Sequence, residues 1–220
     1  MIKAIIFDFD GLIVDTESVW FDAYREVLME YEFDLSLEKF SEVIGTHDDV
    51  LYDYLKQNIK IPFEKELIES SVEKLVKTKL DEPALRENVE DYLVAAKESG
   101  LIIGLASSSS REWVEGFLKK LNIYEYFSVI KTREDVSNVK PNPELYCKAI
   151  EELGVNASEA IAFEDSLNGL IAAREAGLRC VIVPNSVTSH LAFENYSLRL
   201  SSMAEKSLTD VMNHILGNCP

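Results

Sequence analysis

Four short apolar runs punctuate the chain, at residues 2–7, 101–106, 160–163 and 180–183, with a weaker fifth at 128–130. They are rich in Ile and Val, do not alternate with polar residues, and close in charged or turn-forming positions. Short continuous runs of this kind suit strands buried on both faces of a parallel sheet. Between them, apolar residues recur three and four apart, as in Trp113, Val114, Phe117, Leu118 and Leu121, or Leu145, Tyr146, Ala149, Ile150 and Leu153. That spacing lays one apolar stripe along a helix. Strands alternating with amphipathic helices predict an α/β fold with right-handed crossovers.

Residues 18–80 break this rhythm, because they carry helical stripes and no convincing strand. The stripes begin at Val19 and Trp20, at Leu37 and Phe40 (continuing through Val43 and Ile44), at Val50 and Leu51, and at Leu67 and Ile68. Helices inserted directly after the first strand predict a separate small bundle. We assign residues 16–85 to it, and residues 1–15 and 86–220 to the sheet domain.

Of the 220 residues, 47% are hydrophobic and 28% charged, which suffices for a packed core and excludes intrinsic disorder. The net charge of −17 would repel phosphate backbones and anionic membranes, so no nucleic-acid or membrane partner is expected. No apolar run approaches the ~18 residues of a membrane span. Acid arrives at Asp8, before any secretory hydrophobic stretch, and the expectation is a cytoplasmic monomer. Cys147, Cys180 and Cys219 are odd in number and widely spaced, which supports neither a disulfide framework nor a zinc site. Cys147 and Cys180 fall within apolar patterns and read as small core residues.

Ligands of an open parallel sheet bind beyond the carboxyl ends of its strands. After the first run stands Asp8-Phe9-Asp10-Gly11, after the second Ser107-Ser108, and after the run at 160–163 Glu164-Asp165. The loop after 128–130 leads to Lys140-Pro141-Asn142-Pro143. Four carboxylates on one sheet edge repel one another unless a cation joins them. An all-oxygen set without His or Cys describes Mg²⁺ better than zinc. The i, i+2 spacing of Asp8 and Asp10 sends both side chains to one side of a strand end, where one can attack while the other handles protons. Gly11 permits a sharp turn, and the prolines flanking Lys140 restrict its backbone. Ser107 and Ser108 offer hydroxyl and N–H groups to an anion, or simply a helix cap. Each feature alone is ordinary; Asp and Gly are common turn residues and a lysine is commonly a surface one.

Taken together and in order, Asp8-Phe9-Asp10-Gly11, Ser107, Lys140 and Glu164-Asp165 resemble the four motifs of the haloacid dehalogenase (HAD) superfamily. The helical insertion resembles the C1-type cap of the subgroup that includes phosphoglycolate phosphatase and β-phosphoglucomutase. The resemblance implies a Rossmann-like core and a Mg²⁺-dependent phosphatase acting on a small phosphorylated metabolite, such as a sugar phosphate or a glycolate-type phosphate. Asp8 would be the nucleophile, forming an aspartyl-phosphate, and Asp10 the general acid and base. Asp8, the backbone carbonyl of Asp10 and Asp165 would hold the metal, with Glu164 supporting directly or through water. Ser107, Ser108 and Lys140 would hold the phosphoryl group.

Arg111, just past the serine loop, is a candidate for substrate contact from the cap-facing side. Trp20 stands where β-phosphoglucomutase has a cap histidine, and Asp48 where it has a cap arginine. These departures favour hydrolysis over the alternative of phosphoryl transfer within a hexose phosphate. The presence of Asp10 argues against dehalogenation. Trp20 fits the helical stripe and reads as core, His47 is a weaker candidate for touching substrate, and His190 and His214 read as surface residues. A phospho-acceptor switch is a third class, but it leaves Asp10 and the helical insertion without a role.

Overall fold

The structure is a computed structural model that describes residues 1–44 and 49–217. His47, Asp48 and Cys219 lie outside the described residues, so expectations about them have no structural counterpart here. The sheet has six parallel strands, β1 (Ala4–Phe7), β2 (Ile102–Ala106), β3 (Val129–Lys131), β4 (Ala160–Glu164), β5 (Arg179–Ile182) and β6 (Leu198–Arg199). Their order is β3-β2-β1-β4-β5-β6. Five of them match the apolar runs; β6 has two residues, neither fully buried, and so leaves no pattern to read.

β1 is buried along its whole length, and alternation sorts its side chains between two helical layers. Ile5 and Phe7 face α5 (Val89–Glu98), α6 (Arg111–Lys120) and α9 (Leu208–Gly217). Ala4 and Ile6 face α7 (Glu144–Leu153) and α8 (Leu167–Glu175). Phe7 stacks on Phe163 of β4 with ring centroids 5.1 Å apart, and truncating either buried ring to alanine would cost about 3–5 kcal/mol through lost burial and the cavity left behind. The register pairs Phe7 with both Leu105 and Phe163, so the residues just past these positions arrive side by side at one sheet edge.

Between β1 and β2 the chain forms α1 (Thr16–Met29), α2 (Leu37–Ser41), α3 (Asp49–Asn58) and α4 (Lys65–Lys79). They enclose their own apolar cluster, in which Tyr24, Leu28, Phe40, Tyr52, Leu55 and Val72 are buried. The stripe expected through Ile44 is helical only to Ser41. The chain leaves and re-enters the sheet layer at one place, where Val14 bridges Leu85 and the Arg86 N–H donates to the Ile13 carbonyl at 2.8 Å. Elsewhere the Asn168 side chain donates to the Ile44 carbonyl at 2.7 Å, Ser41 meets His190 at 3.2 Å, and Val187 joins the insertion's cluster.

Cys180 is buried as expected, but Cys147 is exposed. Leu145, Tyr146 and Ala149 occupy the inward side of α7, and position 147 falls on the opposite face of the turn. His190 and His214 are both exposed. Among the described residues no helix is long and apolar enough to cross a membrane.

Candidate active site

The carboxyl edge of the sheet gathers nearly all the expected residues. Asp8 follows β1, with its N–H donating to the Phe163 carbonyl at 3.0 Å, which fixes its side chain beside the end of β4. Glu164 is the last residue of β4 and Asp165 the first beyond it. Asp8, Glu164 and Asp165 are all buried, and each has a carboxylate oxygen within 4.8 Å of the others. Burial and the neighbouring Glu164 push the Asp8 carboxyl up to about 8, in spite of the Lys140 ammonium beside it. Burial, followed by the charges of Asp8 and Glu164, raises Asp165 well above the usual carboxylate range.

Lys140 is buried and donates to Asp8 Oδ1 and to Glu164 Oε1, the latter at 2.7 Å. Its own ionisation is driven upward, because the two carboxylates outweigh the cost of burying the ammonium. Tyr146 of α7 donates its phenol to the same Glu164 oxygen at 2.6 Å. Burial and the nearby carboxylates keep that phenol protonated. The second Glu164 oxygen accepts from the Asp165 N–H and the Ser166 hydroxyl, both at 3.3 Å. Glu164 is therefore fully partnered inside the protein, fully buried, and outside the open cavity. Its geometry is that of a group holding Lys140 and supporting the cluster from behind.

Two glycines make room for this arrangement. A Cβ at Gly169, in the first turn of α8, would lie 1.9 Å from the Glu164 carboxyl carbon. Gly11 has φ +73°, and a Cβ there would lie 2.3 Å from Asp165 Oδ2.

Asp10 turns away from the three clustered carboxylates. Its Oδ1 accepts from the Thr16 hydroxyl and the Trp113 indole, each at 2.9 Å. Its Oδ2 accepts from the Ser109 hydroxyl at 2.6 Å and from Ser107 at 3.4 Å. Ser107 and Ser108 line the cavity with Asp8, Asp10, Lys140 and Asp165.

Arg111 does not join them. Its guanidinium binds Glu115 at 3.1 Å, Asp135 at 2.6 Å and the Ile130 carbonyl at 3.1 Å, which fastens α6 to the loop after β3. A basic residue beside the serine loop gave no indication that an acid one turn along its own helix and another on the loop after β3 would claim it. Trp20, read as core, packs against the insertion's apolar cluster and also lines the cavity. Sequence reasoning also missed Ser109, Tyr146 and Trp113. It missed Arg86 as well, whose guanidinium donates to the carbonyls of Gly11, Val183 (3.2 Å) and Pro184 (2.8 Å). Asn185 adds a hydrogen bond to Asp165 Oδ2 at 2.7 Å. None of these five carries a spacing signal, since each acts across elements distant in sequence.

The cluster suits a hard divalent cation. Asp165 Oδ1 is buried with no hydrogen-bond partner, and the carboxylates around it repel one another without added positive charge. The cavity encloses about 780 Å³ between this edge and the insertion, within the ~300–1,000 Å³ usual for small-molecule sites. Its far wall is largely aromatic and aliphatic, with Trp20, Tyr24, Phe40, Ile44 and Leu51.

Comparison with known proteins agrees with this arrangement. The Bacillus subtilis protein YhcW is 49% identical over 217 residues, covering 98% of each chain. Hexitol phosphatase B of Escherichia coli K12 is 29% identical over 215 residues, covering 96% of this chain and 97% of its own. The crystal structure of CbbY from Rhodobacter sphaeroides in complex with phosphate superposes with a TM-score of 0.77 at 30% identity, covering 93% and 96% of the two chains. The model of the haloacid dehalogenase-like hydrolases matches residues 5–183. Fold, strand-end carboxylates and sequence relatives thus agree, and the chain is an enzyme belonging to the haloacid dehalogenase-like hydrolase family.

Proposed function

We propose that the chain is a Mg²⁺-dependent phosphatase of a small sugar or polyol monophosphate, working through an aspartyl-phosphate on Asp8. The observation that carries this reading is the buried cluster of Asp8, Glu164 and Asp165 bound to Lys140 at the mouth of a cavity of metabolite size. Asp8 and Asp165 would hold the cation, together with the Asp10 backbone carbonyl. When bound, Mg²⁺ would supply positive charge that lowers the repulsion between an incoming phosphate and these carboxylates.

In the first step an Asp8 oxygen attacks phosphorus, the bond to the leaving oxygen breaks, and Asp10 gives that oxygen its proton. In the second, water attacks the phosphorus, Asp10 takes the water's proton, and the Asp8–phosphorus bond breaks. Lys140, Ser107 and Ser108 hold the transferring group, so that catalysis is positioning and charge neutralisation. Glu164 and Tyr146 keep the Lys140 ammonium aimed. Residues 16–85 form the cap over the cavity and exclude bulk water, and residues 1–15 and 86–220 form the base.

The substrate reading follows from the walls. Aromatic rings of the insertion offer faces to the C–H groups of a carbohydrate chain. The cavity's other cations each have an acid beside them, with Lys77 3.8 Å from Glu73, Lys120 3.5 Å from Asp81 and Arg133 3.6 Å from Glu134. A second phosphate would compete with an acid for each of these cations, a modest bias toward a monophosphate and toward hydrolysis over transfer within a hexose phosphate. The phosphatase name of the hexitol-phosphate relative points the same way, whereas a CbbY variant has been crystallised with a bisphosphate, xylulose 1,5-bisphosphate, so the substrate panel includes bisphosphates.

The test is phosphate release from p-nitrophenyl phosphate and from a panel of sugar and polyol phosphates, with and without Mg²⁺. Release should require Mg²⁺ and fall at least about a thousandfold in Asp8→Asn. Metal-independent turnover, or turnover surviving that substitution, would falsify the mechanism. Isomerised product without free phosphate would establish the mutase instead.

A further inference from the structure

Of the four side chains described as donating to Asp10, one is an indole. Trp113 sits in the first turn of α6, where its backbone N–H is capped by Ser110 at 3.3 Å. Its Nε1–H meets Asp10 Oδ1 at 2.9 Å. The other side chains on that carboxylate, Thr16, Ser107 and Ser109, are hydroxyls. A hydroxyl can rotate to give or accept a hydrogen bond, whereas an indole N–H can only give one. The hydroxyls can therefore re-pair as Asp10 works, while the indole holds one fixed direction.

The ring itself is anchored on both sides. Phe117 packs 4.7 Å from it and in turn lies 5.9 Å from Phe9, the residue between Asp8 and Asp10. On the other side Trp20 of α1 lies 6.0 Å away. Trp113 thus packs against both the sheet's core and the insertion's core.

We propose that Trp113 is a positioning residue for Asp10, aiming its carboxyl at the leaving-group oxygen through the indole N–H, with Trp20 setting where the indole lies. The placement of the insertion is thereby registered at Asp10. This inference rests on the acid role given to Asp10 in the proposed phosphatase.

Trp113→Phe keeps a ring against Phe117 and Trp20 but loses the N–H. A nitrophenolate leaves without a proton, whereas an alkoxide needs one, so the two substrates separate aiming from packing. The kcat/KM for sorbitol 6-phosphate should fall at least about tenfold further than that for p-nitrophenyl phosphate, which is the reach of one hydrogen bond to a charged group. Trp20→Ala should reproduce part of the same split, and the double variant should add little to Trp113→Phe. Equal losses on both substrates, or none, would overturn the proposal.

A second measurement needs no turnover. The chain has 2 tryptophans, so Trp20→Phe leaves Trp113 as the sole indole. In that background Asp10→Ala should shift the Trp113 emission maximum; an unchanged spectrum would overturn the contact itself. Failure of the phosphatase reading is distinguishable, because it would appear as wild-type protein inactive on both substrates while the emission shift persists.

Discussion

Asp8 and Asp165 stand where carboxylates are least comfortable without a cation, and their ionisation makes that measurable. Asp8 is held at about 8 in the folded chain, against about 4 in the unfolded one. Between those values the unfolded chain binds fewer protons than the folded one, so the metal-free protein loses stability as pH rises through this window. Mg²⁺ needs the ionised carboxylates and removes the penalty. The rise in Tm given by saturating Mg²⁺ should therefore grow steadily from pH about 5.5 to about 8. A Mg²⁺ increment that does not change over this range would count against Asp8 and Asp165 as its ligands. The residues gathered at the sheet edge were legible because each follows an apolar run directly or lies on the loop leading from one, as with Asp8 and Asp10 after β1, Ser107 after β2 and Lys140 on the loop after β3. Arg111 stands apart from them for the opposite reason. A charge at the start of a helix says nothing of its partners, and Glu115 and Asp135 engage it.

At the scale of elements, the beginning of α8 is built around Glu164. Ser166 caps the helix by accepting from the Gly169 N–H at 3.1 Å, and Gly169 leaves the space that the carboxylate fills. Gly169→Ala would drive a methyl into a side chain that Lys140 and Tyr146 hold in place. We expect at least about a tenfold loss of kcat with the circular dichroism spectrum retained, because Lys140 loses its aim. Wild-type kcat in this variant would show that Glu164 can shift without cost. Strands with continuous apolar runs were readable from the chain, and so were the helical stripes of α1, α6 and α7. β6 was not, since two residues at the sheet's edge need no pattern. The helix expected through Ile44 stops at Ser41, a boundary that periodicity alone does not mark.

Across the whole molecule, the join between insertion and sheet depends on Arg86. One guanidinium gathers carbonyls from the turn after β1 and from the segment after β5, and so ties the Gly11 turn to the Asn185 loop that steadies Asp165. Arg86→Met keeps the stem and leaves those carbonyls without their charged donor. Unfolding in urea should show a loss of about 2–4 kcal/mol. Arg86→Lys should recover only part of it, because an ammonium cannot match the planar fork. A change within about 0.5 kcal/mol for Arg86→Met would remove the residue from this role. The layered α/β plan with a helical insert was foreseeable from the order of strands and stripes, whereas this clasp was not, because it joins segments nearly a hundred positions apart.

The bridge between Val14 and Leu85 has an evolutionary consequence. Because the excursion begins and ends on adjacent backbone, lengthening it adds only about 0.6 kcal/mol of closure cost per doubling. A foreign segment cut at the same two points could be grafted there without disturbing the strands beneath. Selectivity would travel with the graft, and the chemistry would stay with the host.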